Sequence, residues 1–155
     1  MKTLLVIITL LTGFAVSAQS VDFKAANFKD DKDGLKKATD AIKAGEESFK
    51  LANDAVFATQ SPGLNYKKAL QQFEIAQKFN PNNALNNFRI GACHMYTTDP
   101  GNGIPFIKKA YELDKACDPF MEYYYGLALQ LEGKYDEALK AYTTFETNYK
   151  KADEF

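Results

Sequence analysis

Leu35, Ala38, Ile42, Gly45, Phe49, Ala52 and Val56 follow one another at alternating steps of three and four, with charged and polar residues between them. Only a helix, at 3.6 residues per turn, gathers such positions onto one stripe. The same spacing returns in Ala69, Leu70, Phe73, Ala76 and Gln77, and again in Tyr135, Ala138, Leu139, Tyr142 and Phe145. No stretch alternates apolar and polar residues with the β-branched character of a strand. Ser61-Pro62-Gly63 is expected to end the first helix, since Pro lacks a backbone donor and Gly favours turns. Further breaks follow at Asn80-Pro81-Asn82-Asn83, Thr98-Asp99-Pro100-Gly101, Asp118-Pro119 and Gly133-Lys134, with segments of twelve to sixteen residues between them. Asp118 ahead of Pro119 predicts an N-cap with Pro in the first helical turn. The pattern predicts six helices and an all-α fold.

The segments also repeat. Phe73, Ile107 and Tyr142 recur at steps of thirty-four and thirty-five, and Ala76, Ala110 and Phe145 keep the same steps. Ala69, Gly103 and Ala138 run in phase with them, and Gly91 and Gly126 are thirty-five apart. Small residues in phase let two helices approach closely, and the large residue four positions later fills the gap. Gly45 is the candidate for the equivalent glycine in the first unit, which implies about a dozen residues inserted before Ala69.

These residues resemble the tetratricopeptide repeat, with a Gly in its first helix and Ala, a bulky residue, Ala and Pro in its second. Ala69, Phe73, Ala76 and Pro81 supply the first unit; Ile90-Gly91, Ile107 and Ala110 the second; Tyr125-Gly126, Gly133, Tyr135, Ala138 and Tyr142 the third. Gly103 replaces an Ala, Pro105 sits early in a helix, Phe145 replaces the last Ala, and no Pro closes the second or third unit. The resemblance implies an α-α superhelix of about three helix pairs, with repeats near 35–81, 84–117 and 119–152 in a domain spanning 35–155. The run from Phe79 to Cys93, with Lys108 to Asp114 and the arm from Val21 to Gly34, is similar to the N-terminal repeats of certain OmpA-family envelope proteins. In that family a β-propeller and a peptidoglycan-binding domain follow, and some members serve type IX secretion and gliding. Neither downstream domain is found in this sequence, so peptidoglycan binding is not expected of these residues.

Ahead of the repeats, Met1-Lys2, the apolar run Leu4 to Val16 and Ser17-Ala18-Gln19 have the regions of a secretory signal peptide at 1–18, with cleavage expected after Ala18. The run is about thirteen residues, short of the roughly twenty that span a bilayer. Residues 19–34, with Val21, Phe23 and Phe28 among polar neighbours and a charged end from Lys29 to Asp33, read as an extended arm. Removing the leader leaves eighteen basic and twenty acidic residues, neither sign gathered in a block, so nucleic acid and anionic lipid are not expected partners. Cys93 and Cys117 are too few for a disulfide framework, and with one in a helix and one in a loop they are expected to stay free; a bridge formed on export is the alternative. Their spacing fits no zinc motif, and no metal or cofactor is expected.

Enzymatic readings need a constellation, and the inventory is thin. His94 is the sole histidine, and on a helix the adjacent Cys93 would point about 100° away from it. His94 therefore reads as a packing residue where such repeats often carry Tyr. The acidic pairs Glu46-Glu47 and Asp30-Asp31 read as solvated faces, and Gly101-Asn102-Gly103 lacks the Lys and Ser or Thr of a phosphate loop. No enzyme is expected.

The first helix of each pair lines the concave side of such an array. The resemblance then places groove residues at Leu85, Phe88, Ala92 and Met95 in the second unit and at Phe120, Tyr123, Leu127 and Gln130 in the third. Anchoring on Gly45 adds Thr39, Ile42, Glu46 and Phe49 in the first. That groove would be apolar and aromatic, suited to a helix or extended segment of a protein partner and lacking the Lys and Asn of chaperone-tail clamps. The alternative is that these side chains pack within the repeats or under the arm. The last pair reaches Phe155 without a further polar capping helix, so its outer face is expected to be covered by something else. The expected function is a non-catalytic adaptor at the periplasmic face of the outer membrane, or else a general client-binding solenoid of the periplasm, with no small-molecule substrate.

Overall fold

The structure, a computed structural model, describes residues 19–97 and 99–153. The expected signal peptide and Phe155 lie outside that range. Among the described residues the chain is all-helical and no strand forms. Six α-helices follow in order: α1 (Lys32–Phe57), α2 (Gly63–Phe79), α3 (Ala84–Met95), α4 (Ile104–Leu113), α5 (Met121–Leu131) and α6 (Tyr135–Asp153), with a 3₁₀ turn at Pro100–Gly103 ahead of α4. None of the described helices is long and apolar enough to cross a membrane.

Neighbours in sequence pack as antiparallel hairpins, α1 with α2, α3 with α4 and α5 with α6, and the hairpins meet through α2 on α3 and α4 on α5. The in-phase glycines explain the close pairing. A Cβ on Gly45 would lie 2.5 Å from the Phe73 ring, one on Gly91 2.5 Å from Ile107 Cδ1, and one on Gly126 2.6 Å from the Tyr142 ring. Each hairpin thus seats the large residue of its second helix on a glycine of its first. The partners are sixteen residues apart in the last two hairpins and twenty-eight in the first, so the dozen extra residues fall between the seat and its occupant. They lengthen α1 beyond Gly45 and α2 ahead of Phe73 into an overhang that the shorter hairpins lack.

Three clusters hold the chain together. Ala52, Tyr66, Ala69, Phe73, Ile90 and Cys93 join the first two hairpins. Phe88, Ala92, Ile107, Ala110, Met121, Tyr124 and Ala128 join the last two. Leu129, Ala138 and Ala141 close the third.

Four local expectations need correction. Residues 19–31 are not extended but turn-rich, and they fold back over the junction of α2 and α3. Val21 N–H donates to Asn82 O, and the Val21 carbonyl accepts from Asn80 Nδ2 (2.8 Å) and Asn83 Nδ2 (3.0 Å). Ser20 Oγ accepts from Ala84 N–H, and Phe23 and Phe28 close over Phe79. Second, the charged stretch starts α1 instead of ending an arm: Asp31 Oδ1 accepts from Gly34 N–H at 2.8 Å, a side-chain cap on free helix donors. Third, α1 stops before Ser61-Pro62-Gly63, because Thr59 adopts a left-handed φ of 56°, and the Pro-Gly pair opens α2 instead. Fourth, Asp118 is not the N-cap of α5. Its Oδ1 accepts from Phe120 N–H and its carbonyl from Met121 N–H, forming a turn one step ahead of the helix. Both cysteines are free, Cys93 buried in α3 and Cys117 partly buried beside Met121.

Candidate functional site

The overhang of the first hairpin supplies one wall of a trough. On α1, Phe49, Asn53 and Val56 lie at i, i+4 and i+7, a single helical face. Tyr66 stands opposite them near the start of α2 and donates to Asn53 Oδ1 at 2.7 Å. Tyr96, at the end of α3, lies flat on Tyr66, with ring centroids 4.7 Å apart and planes 8° from parallel. Phe88 forms the floor at 2 % exposure and meets Tyr124 edge to face at 5.2 Å. Asp118, Pro119, Phe120 and Tyr123 make the far rim. The enclosed volume is about 450 Å³.

Tyr123 also belongs to a second, shallower basin of about 490 Å³ along the third hairpin, shared with Tyr142, Phe145, Glu146, Tyr149 and Lys150. Its ring stands 5.6 Å from Phe145 and 5.9 Å from Tyr142, and Phe120 also reaches Phe145 at 5.6 Å. An aromatic surface therefore runs from the first hairpin to the last, pivoting on Tyr123.

Of the twelve positions expected to line a groove, Phe49, Phe88, Phe120 and Tyr123 meet in the trough. Ala92 is fully buried between α3 and the neighbouring helices, so it cannot face a partner. Leu85, Met95 and Leu127 pack against the same cluster. Gln130 is exposed and accepts from Tyr142 O–H at 2.8 Å, away from the trough. In the first unit Glu46 pairs with Arg89 at 2.6 Å, which ties α1 to α3. Thr39 Oγ1 bonds its own helix at Lys36 O, and Ile42 is partly buried outside the trough.

Tyr66, Tyr96, Tyr124, Asn53, Val56, Asp118 and Pro119 are additions. Val56 lay on the helical stripe already visible in the sequence. Tyr66 escapes a rule that assigns grooves to first helices, because it sits on the overhang of a second one.

The electrostatics of the trough follow from burial. Desolvation pushes the Tyr66 and Tyr124 phenols well above the usual tyrosine range, with neighbouring Tyr96 adding to it, so both stay neutral. Burial also raises Asp118, partly offset by the Phe120 N–H and by Arg89. Elsewhere, burial raises the Cys93 thiol, which is 0 % exposed, and lowers His94, which stacks on Phe106 at 6.0 Å. No group of three metal-ligating side chains forms among the described residues. The trough presents aromatic faces, a few hydroxyls and one carboxylate.

No family model matches the chain, and neither a curated protein nor a solved structure does.

Proposed function

We propose that this chain is a non-catalytic protein-interaction module of the tetratricopeptide-repeat kind, working as an adaptor in the cell envelope and holding an apolar segment of a partner in the aromatic trough. One observation carries the reading: Phe49, Tyr66, Phe88, Tyr96, Phe120 and Tyr123 come from all three hairpins yet line one cavity. Large rings spread along a concave surface are the residues that dominate protein–protein binding energies, because they bury much area at little entropic cost. At about 25 cal/mol per Å², covering a few hundred Å² contributes several kcal/mol before association costs.

The three glycine seats support the repeat reading, since they carry the phase of the sequence repeat into hairpin geometry. Export rests on the leader at residues 1–18 and on the resemblance to OmpA-family repeats. The periplasmic face of the outer membrane is the place where an adaptor of this kind would act.

The test replaces Phe120 and Tyr123 together with Ser. Phe88 is unsuited to it, because a residue so buried would unfold the chain when made polar. The double variant keeps its helical circular dichroism and loses the proteins that co-purify with the wild type. Full recovery of those proteins by the folded variant would refute the assignment.

A further inference from the structure

Asp118 alone among the residues lining the trough carries a charge, and no basic residue lines it. One of its oxygens accepts from Phe120 N–H at 2.8 Å. Among the described residues neither oxygen meets a cation within salt-bridge distance. Arg89, whose positive charge lowers the Asp118 pKa, is committed to Glu46 at 2.6 Å and lies over the Phe73 ring at 5.6 Å. The carboxylate is thus partly withdrawn from water with no full counter-charge. Around it stand Tyr66, Tyr96, Tyr123, Tyr124, Phe88 and Phe120, whose ring faces attract cations. In the second basin the charges are already matched, Lys150 to Glu146.

Resting on the adaptor reading, we infer that the trough takes an apolar stretch of a partner polypeptide carrying one basic side chain, Lys or Arg, which seats against Asp118 among the aromatic rings. The apolar flanks of that stretch cover Phe49, Val56 and Phe120, while the methylene stem of the basic residue lies on the rings and its head reaches the carboxylate. An acidic segment is disfavoured, since its carboxylate would meet a like charge and no basic side chain in the lining. Desolvation of Asp118 strengthens the selectivity, because a poorly hydrated anion gains more from an arriving cation than an exposed one does.

The experiment selects random dodecapeptides displayed on phage against the whole chain lacking residues 1–18, with the folded Phe120→Ser, Tyr123→Ser variant as counter-selection. Enriched peptides are then synthesised with their basic residue kept or replaced by norleucine. The proposal expects Lys or Arg between apolar residues in the enriched pool. It further expects the norleucine change to weaken binding to the wild type about five- to tenfold, but less than about twofold on Asp118→Asn. Asp118→Asn keeps the oxygen that caps Phe120 N–H, and an unchanged melting profile at low pH checks that its fold is intact. Enriched peptides without basic residues, or an equal norleucine effect on both proteins, overturn this inference and leave the adaptor reading standing. Absence of any peptide enriched over the counter-selected variant overturns both.

Discussion

Gly91 lies beneath Ile107 so closely that an added methyl would stand 2.5 Å from Ile107 Cδ1 and 3.1 Å from the Ile107 backbone nitrogen. In an open helix, Gly→Ala stabilises by about 0.8–1 kcal/mol. Here the methyl has nowhere to go, and overpacking of a close helix pair costs about 1–3 kcal/mol. Gly91→Ala is therefore expected to lower the urea midpoint. Gly126→Ala should cost less, because the obstacle there is the ring of a partly exposed Tyr142 and not backbone. A midpoint raised by Gly91→Ala would mean that the hairpin is not packed as described.

Asn83 performs two tasks with its two amide atoms. Its Oδ1 caps α3 by accepting from Asn86 N–H at 2.8 Å, and its Nδ2 donates to the Val21 carbonyl. Asn83→Asp keeps the acceptor, and a carboxylate at a helix N-terminus is favourable, but it removes the donor. The expected result is a chain of nearly unchanged helicity whose arm, residues 19–31, is cut faster by protease and exchanges its amides faster. An arm as protected as in the wild type would show that the Asn80 and Asn82 bonds to Val21, the Ser20 bond and the Phe79 contacts hold it without Asn83.

The thiols report burial directly. Cys117 is pushed up to about 12 by burial first and then by Asp114 and Asp118, so at pH 8 only about one part in ten thousand is thiolate. Cys93 lies deeper still. A disulfide reagent at pH 8 should leave both native thiols largely unmodified for minutes and titrate two per chain at once in denaturant. Rapid native labelling of Cys93 would place it outside the core.

Asp118 gives a pH signature with a definite sign. Its folded-state pKa is raised, so the native state holds that proton more tightly than the unfolded chain does, and ionising it costs stability. The cost is present above the raised value and fades as pH falls through the ordinary aspartate range. Asp118→Asn is expected to melt higher than the wild type near neutral pH, with the difference vanishing below that range. A lower midpoint at neutral pH would mean that the carboxylate stabilises the turn it sits in.

Much of the framework was legible because it depends on periodicity. The stripe from Leu35 to Val56 and the in-phase Phe73, Ile107 and Tyr142 are properties of a 3.6-residue turn and a repeating hairpin, and both survive folding unchanged. The ends of α1 were less legible, since each turns on one residue: Asp31 caps the helix inside a stretch read as the arm, and Thr59 stops it ahead of Pro62. The groove residues were read by analogy of position, and that fails wherever neighbouring helices close over a site, as they do over Ala92. The overhang of the first hairpin breaks the phase itself, and so Tyr66 and Asn53 were invisible. Asn80 and Asn83 read as part of a turn and Asn86 and Asn87 as helix, yet all four are buried and bond to one another, to Gln77 and to the arm, with Asn86 Oδ1 alone left without a partner among the described residues. Nothing in their spacing announces a polar core.

The most direct test of the trough as the binding surface places a photo-crosslinking phenylalanine analogue at Phe120, and in a parallel protein at Leu139, within the cells that make the chain. Leu139 is the more exposed of the two, at 66 % against 46 %, but lines neither basin. The account predicts discrete adducts from position 120 that disappear when Tyr123 is also changed to Ser, and none of that kind from position 139. Adducts equally abundant from both positions, or from 139 alone, would contradict it.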